Sequence, residues 1–263
     1  MDRAPRGALP RRRVRDLSEL DRIRHAYQER DAAKASASPW LDRAYRRTLQ
    51  DLEWELLDAL GRSGFDPAGA RVLEVGCGSG YFLSRFLDYG AAVAAGIDLM
   101  EHRIAQAHER DPRLELVVGD AGRLPWPDAS FDLVTQFTCL SSVLDDALRA
   151  RIAAEMWRVV RPGGALVSYD MRATPAAVRL LRRAVARRRG DVLPGTPTVP
   201  VEAGELERLF GAAGADVRPV TLALDLAAPA ERLRLRPFLR AVPPLRSHLL
   251  AVGRKPAQPS SSR

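Results

Sequence analysis

From about position 70 onward, short apolar runs alternate with longer stretches in which apolar positions recur every three or four residues. That alternation belongs to a parallel sheet whose strands are joined by crossover helices. Strands are predicted near 71–75, 92–97, 114–119, 131–136 and 165–169, and later at 216–224 and 248–253. Helices fit between them at 81–89, 101–110, 144–160, 175–189 and 204–211. The Gly- and Pro-containing stretch 190–200 reads as a loop, and the Arg-, Leu- and Pro-rich stretch before the last strand reads as a connection.

Ahead of the first strand the pattern is helical. Leu17, Leu20, Ile23 and Tyr27, then Leu41, Tyr45, Leu49, Leu52, Leu56 and Leu60, recur at helical spacing, and Ala35-Ser36-Ala37-Ser38-Pro39 separates the two groups. The chain therefore divides into a disordered basic tail (1–15), an N-terminal helical extension (16–64), a main domain (65–255) with an insertion at about 173–203, and a mobile tail (256–263).

Composition changes this picture little. The apolar fraction of 46% is ordinary for a globular protein. No apolar stretch is long enough to cross a bilayer, and the basic N-terminus runs into Asp16, Glu19 and Asp21 instead of an apolar segment, so a cytoplasmic location is expected. Two cysteines, Cys77 and Cys139, suit neither a disulfide framework nor a metal cluster. The net charge of +8 raises nucleic acid as a partner. Lys34 and Lys255 are the only lysines, however, and arginines spread over helix faces read more simply as a solvated basic surface.

The candidate chemistry lies behind the first strand. Val72-Leu73-Glu74-Val75 runs into Gly76-Cys77-Gly78-Ser79-Gly80, a turn in which missing side chains let a ligand approach the backbone. Asp98 closes the second strand, where a carboxylate can accept hydrogen bonds from both hydroxyls of a ribose. Asp120 follows the third, Phe131-Asp132-Leu133-Val134 opens the fourth, and Arg161-Pro162-Gly163-Gly164 turns into the fifth. Asp132 reads as structural.

On these residues, over about 68–172, the chain resembles the class I S-adenosylmethionine-dependent methyltransferases, in particular those acting on small molecules, sugars and lipids. The resemblance implies a Rossmann-like α/β fold: a seven-stranded, mostly parallel sheet with the last strand antiparallel, helices on both faces, and an N-terminal helical extension. It implies S-adenosyl-L-methionine as cofactor, with Gly76, Cys77, Gly78 and Gly80 against its methionine and ribose portions. Glu74 would orient the loop and the amino group, Asp98 with Leu99 would hold the ribose, and Asp120 with Ala121 would border the adenine. Gln136 and Phe137 would lie beside the transferable methyl.

The acceptor is expected beyond the carboxyl ends of strands four and five. The stretch after strand four has no Asn/Asp-Pro-Pro-Tyr/Phe arrangement and no Pro-Cys nucleophile, so the common base-modifying reactions lose support. In Tyr169-Asp170-Met171-Arg172, alternation puts Asp170 and Arg172 on one face. An antiparallel last strand would bring His248 to the same edge. Asp170 and His248 are thus candidate general bases for transfer to a hydroxyl, with Arg172 beside them. Asp170 and Arg172 could equally form a structural ion pair, and His248 a buried strand histidine.

The Tyr-Asp-x-Arg segment, and the closing pattern of Arg246, His248, Arg254, Lys255 and Pro256, are also similar to bacterial methyltransferases of glycan and natural-product pathways. This points to O-methylation of a small-molecule acceptor. An RNA methyltransferase, a catalytically silent cofactor binder and peripheral membrane contact through Leu233-Arg234-Leu235-Arg236-Pro237-Phe238-Leu239-Arg240 stay open, although Pro237, Pro243 and Pro244 interrupt any long amphipathic helix there. Tyr27 and Arg30 on the N-terminal helices could close over the cofactor as a lid.

Overall fold

The computed structural model describes residues 18–34, 42–189, 197–209 and 215–257. The expected tail 1–15 and the last residues of the expected tail 256–263 fall outside them, as does most of the loop at 190–200.

Seven strands form one sheet: β1 (Arg71–Val75), β2 (Val93–Asp98), β3 (Glu115–Val118), β4 (Phe131–Phe137), β5 (Val160–Met171), β6 (Asp216–Leu222) and β7 (Arg246–Arg254). Their spatial order is β3-β2-β1-β4-β5-β7-β6. β1 to β5 are parallel, and β7 runs antiparallel between β5 and β6. The expected fold class is the observed one. The central strands read as unbroken apolar runs because both faces are covered.

The helices are α1 (Glu19–Lys34), α2 (Arg43–Arg62), α3 (Tyr81–Asp88), α4 (Glu101–Arg110), α5 (Asp146–Val159), α6 (Ala176–Arg189), α7 (Ala203–Leu209), α8 (Leu224–Arg232) and α9 (Arg236–Arg240). On one face Leu52, Leu56 and Leu60 of α2 and Phe82 and Phe86 of α3 pack on Val72, Leu133, Val167 and Leu250. On the other, Leu148, Ile152 and Met156 of α5 and Leu206 of α7 pack on Leu73, Val134 and Leu166. Strand alternation sends neighbouring residues to opposite cores.

Two differences from the sequence reading have local causes. β5 begins at Val160, so Arg161-Pro162-Gly163-Gly164 lies within the strand as an irregularity opposite Phe131 and Leu133. Gly163 takes the left-handed φ of 76°, and a Cβ on Gly164 would meet the Asp132 carbonyl at 2.8 Å. Asp132 itself accepts the Arg71 backbone N–H at 2.7 Å and pairs with Arg161. The stretch expected as a bare connection holds α8 and α9. Pro229 inside α8 and Pro237 in the first turn of α9 mask the helical pattern, although proline suits a first turn.

The helical extension also divides. α2 is capped by Asp42, whose carboxylate accepts the Ala44 and Tyr45 N–H groups, and its apolar stripe belongs to the main core. Only α1 borders the cavity described next.

Candidate functional site

β1 delivers the chain into Gly76-Cys77-Gly78, with φ of 72° at Gly76 and 54° at Gly78, both in the left-handed region that glycine enters freely. The N–H groups of Gly76 and Cys77 donate to the Ile97 carbonyl at 2.8 and 3.0 Å, which lays the loop across the end of β2. There Asp98 accepts the Gly78 N–H on one carboxylate oxygen at 2.8 Å and the Met100 N–H on the other at 2.9 Å. Each oxygen keeps a second lone pair.

Beside it Glu74 is 3% exposed, and its Oε2 has no hydrogen-bond partner. Burial, then the neighbouring Asp98 charge, pushes its carboxyl well above the usual carboxylate range. A buried, unpartnered carboxylate oxygen on a cavity wall suits a cationic group, and the Asp98 lone pairs suit a diol. An amino acid–nucleoside such as S-adenosylmethionine supplies both.

These residues line one cavity at the carboxyl ends of β1, β2 and β4. Glu74, Gly76, Cys77, Gly78, Asp98 and Leu99 form one wall. Asp120, held in a tight turn by accepting the Gly122 N–H at 2.8 Å, lines it with Ala121. Phe137, Tyr27 and Arg30 also border it.

The two other residues expected at the cofactor lie elsewhere. Gly80 starts α3 at φ 73°, and a Cβ there would meet Leu114 Cδ1 at 2.9 Å and Ala107 Cβ at 3.0 Å. Its small size thus seats α3 against α4. Gly80→Ala should destabilise the protein by about 2–4 kcal/mol, from strained φ plus overpacking. In thermal unfolding this appears as a Tm drop of roughly 5–10 °C, and cofactor affinity of the folded protein should stay within about threefold. A larger affinity loss at unchanged Tm would return Gly80 to the site.

Gln136 is buried beneath the cavity wall. Its Nε2 donates to Asp170 at 2.8 Å and to Ser168, and its Oε1 accepts the Cys139 N–H at 2.8 Å. It is a strap under the turn 138–143.

The structure also relocates the expected acceptor groups. Asp170 is fully buried on the α5 side of the sheet, accepting the Ser141 N–H at 3.0 Å and the Gln136 amide. Burial raises its carboxyl to about 6, against the lowering effect of those donors. His248 lies on the opposite face. Its ring stacks on Tyr169 at 4.5 Å, and its Nδ1 is 2.8 Å from Ser247 Oγ. Burial, then the Arg182 charge, lowers it to about 3, so it is a neutral imidazole. Arg172 donates to the Pro243 carbonyl at 3.3 Å and forms no ion pair with Asp170. None of the three lines the cavity. Strand alternation separates Asp170 from His248, and a side chain at the end of β5 or the start of β7 reaches the layers above and below the sheet, not the opening over β1.

Several lining residues had no clear sequence signal. Leu148 and Ile152, one turn apart on α5, give the Asp120–Ala121 side an apolar wall. Tyr81, Phe82 and Phe137 form an aromatic rim, with Phe82 and Phe137 stacked at 4.0 Å. Thr138 holds φ of 61°, costly for a β-branched residue, fixed by its N–H on the Tyr169 carbonyl at 2.7 Å. Gly96 admits the loop: a Cβ there would lie 2.7 Å from Cys77 Sγ. Burial pushes both thiols, Cys77 and Cys139, up, so neither is a ready nucleophile.

α1 roofs this cavity, with Leu20, Ile23 and Tyr27 facing in. Tyr27 and Ser142 share a hydroxyl hydrogen bond at 2.7 Å, Arg22 donates to the Ser142 carbonyl at 2.7 Å, and Arg103 of α4 makes a two-pronged pair with Asp31 at 2.9 and 2.7 Å. The Arg103 guanidinium also lies 4.4 Å from the Tyr27 ring centre. The roof is therefore held by partly buried polar contacts together with Leu20 and Ile23 on the core, and it rests on the turn that Gln136 and Asp170 support.

Comparison with known proteins agrees with this geometry. Residues 73–168 match the family described as the methyltransferase domain. The chain is 40% identical over 108 residues to a probable S-adenosylmethionine-dependent methyltransferase of Mycolicibacterium smegmatis, covering 41% of this chain and 40% of that one. It is 33% identical over 141 residues to the 27-O-demethylrifamycin SV methyltransferase of Amycolatopsis mediterranei, covering 51% of this chain and 50% of that one. The matched stretches thus span about half or less of those relatives' lengths. A solved methyltransferase from Archaeoglobus fulgidus shares the fold with a TM-score of 0.55 at 18% identity, covering 76% of this chain and 94% of that one. Residues 73–168 thus match a methyltransferase domain, and the glycine loop, Glu74 and Asp98 around one roofed cavity suit S-adenosyl-L-methionine as its cofactor.

Proposed function

We propose that the protein transfers a methyl group from S-adenosylmethionine to an oxygen of a small-molecule acceptor of the natural-product type. The observation that carries the methyl-donor part of this reading is the pairing of the unpartnered Glu74 oxygen with the two-sided Asp98 carboxylate in one cavity under α1. Glu74 meets the amino group of the cofactor, and Asp98 accepts from both ribose hydroxyls. Asp120 and Ala121 flank the adenine, with Leu148 and Ile152 behind it. When bound, the cofactor supplies a sulfonium methyl that is displaced in line.

The residues of this chain then have two tasks, to hold an acceptor atom opposite that methyl and to exclude water. The aromatic rim of Tyr81, Phe82 and Phe137 and the roof formed by Tyr27 and Ile23 suit both. Neither expected base reaches the cavity: Asp170 is locked under the turn, and His248 is neutral behind Tyr169. A hydroxyl acidic enough to ionise without a strong base, phenolic or enolic, therefore fits better than a sugar alcohol. The name of the rifamycin relative, which places its methylation at an oxygen, supports an oxygen acceptor. Asp170 and Gln136 act as positioning groups that hold the turn on which α1 rests.

Calorimetry with S-adenosylmethionine, followed by label transfer to panels of phenolic and sugar acceptors, tests the reading. The expected result is micromolar binding and turnover on phenolic compounds. Absence of cofactor binding would sink it, and turnover on sugars alone would refute the acceptor assignment.

A further inference from the structure

We propose that the face built by α6, α8 and α9 seats the protein on an anionic lipid bilayer. Among the described residues, six of the ten exposed large apolar side chains stand there, Leu180 and Leu181 on α6, and Leu233, Leu235, Phe238 and Val242 around α8 and α9; Trp54, Leu57, Val118 and Leu144 lie elsewhere. Phe238 is 72% exposed, Leu233 67% and Leu180 66%. α6 packs on α8 and α8 on α9, so the two groups stand on adjoining helices.

The apolar side chains are presented, not frayed. α6 buries Val178 and turns Leu180 to the opposite side of the helix, two residues on. α9 is clamped from below. Arg236, 6% exposed, pairs with Asp51 at 2.5 Å, and Arg240 pairs with Asp51 at 2.9 Å and Glu55 at 2.8 Å. These pairs tie α9 to α2 and leave Phe238 pointing outward.

Charge selects the occupant. The α6 sequence, AAVRLLRRAVARRR, holds no acidic residue. Arg183, Arg232 and Arg234 are exposed, and among the described residues none forms an ion pair with a carboxylate. Arginines interleaved with aliphatic and aromatic side chains match a bilayer interface, where the apolar groups enter the acyl boundary and the guanidinium groups meet lipid phosphates. Nucleic acid would satisfy the arginines alone and leave Leu180, Leu233 and Phe238 in water. The residues between α9 and β7 lead to the same carboxyl end of the sheet at which the cavity opens, Met171 of β5 pairing with His248. Resting on the methyltransferase reading, this makes a membrane-partitioned acceptor the class served, and the docking itself can be measured without turnover.

The test is sedimentation of the full chain with phosphatidylcholine vesicles with and without about a third phosphatidylglycerol, at low and physiological salt. The expected result is binding at least roughly tenfold tighter to the anionic vesicles, with partial loss as salt rises. Phe238→Ser and, separately, Leu180→Ser should each weaken it several-fold, and Arg183→Ser with Arg234→Ser should remove the preference for anionic lipid. All these positions are exposed, so melting temperature and calorimetric affinity for S-adenosylmethionine should match the parent. Failure of the parent to bind vesicles overturns the proposal, as does equal vesicle binding by the Phe238 and Leu180 variants. Tight binding to a short RNA that survives Phe238→Ser, or dimerisation that Phe238→Ser abolishes, would give the face to another partner and overturn it as well. If vesicle binding holds while no methyl transfer is found, docking stands and the catalytic reading falls.

Discussion

Asp98→Ala lowers the affinity for S-adenosylmethionine by roughly 100- to 1000-fold, read by calorimetry, because two charge-assisted hydrogen bonds to a diol are lost at about 1.5–2 kcal/mol each. The loss has a second source. The same carboxylate receives the Gly78 N–H on one oxygen and the Met100 N–H on the other, so the variant also frees the glycine loop from the end of β2. Asp120→Ala offers the internal comparison. Its carboxylate is engaged by Gly122 on one oxygen only and faces the adenine side, so a loss of roughly tenfold is expected there. An Asp98→Ala affinity within about threefold of the parent would remove Asp98 from the site.

The glycine loop was legible in the sequence because its chemistry is carried by backbone shape. Left-handed φ at Gly76 and Gly78 can be read from residue type alone, and so can a carboxylate at the end of a strand. The sheet was legible for a similar reason, since strands covered on both faces leave unbroken apolar runs. What could not be read was which side of a strand, and how far along it, a polar residue would come to rest. Asp170 and His248 lie close to one sheet edge, as β5 and β7 pairing required, yet alternation sends one under α5 and stacks the other on Tyr169. Gln136 follows the same rule: it shares the buried face with Ser168 and Asp170, and Phe137 beside it turns to the cavity.

The roof was partly legible. Tyr27 and Arg30 stand on a helix with few apolar positions, which is what a helix docked by polar contacts looks like. The partners that hold it, Ser142 and Arg103, come from a turn and a distant helix that no local spacing joins. α8 and α9 were hidden by prolines for which the helices have room, and exposed Leu233 and Leu235 stand at the joint between them, with Phe238 on α9.

Glu74 gives the second large effect, and its sign follows from its surroundings. In the free protein, burial and the Asp98 charge hold its proton to a higher pH than an exposed glutamate would. An ammonium brought against its unpartnered oxygen favours the ionised form, so cofactor binding should release a proton. The measured binding enthalpy of the parent should then vary with the ionisation enthalpy of the buffer, and affinity should rise with pH through the free protein's Glu74 pKa. Glu74→Gln should abolish both dependences and weaken binding by roughly 10- to 100-fold, the cost of one lost charge-assisted contact. Stability must move in the opposite direction to affinity. With its folded pKa raised, Glu74 costs the free protein nothing below the ordinary glutamate pKa and progressively more as pH climbs towards the raised value. Free parent protein should therefore lose more melting temperature across that window than the Gln variant, in which the raised Asp170 carboxyl still acts, and added cofactor restores the parent. A binding enthalpy identical in all buffers would mean that Glu74 is already ionised, and the cationic group would have to be sought against Asp98 instead.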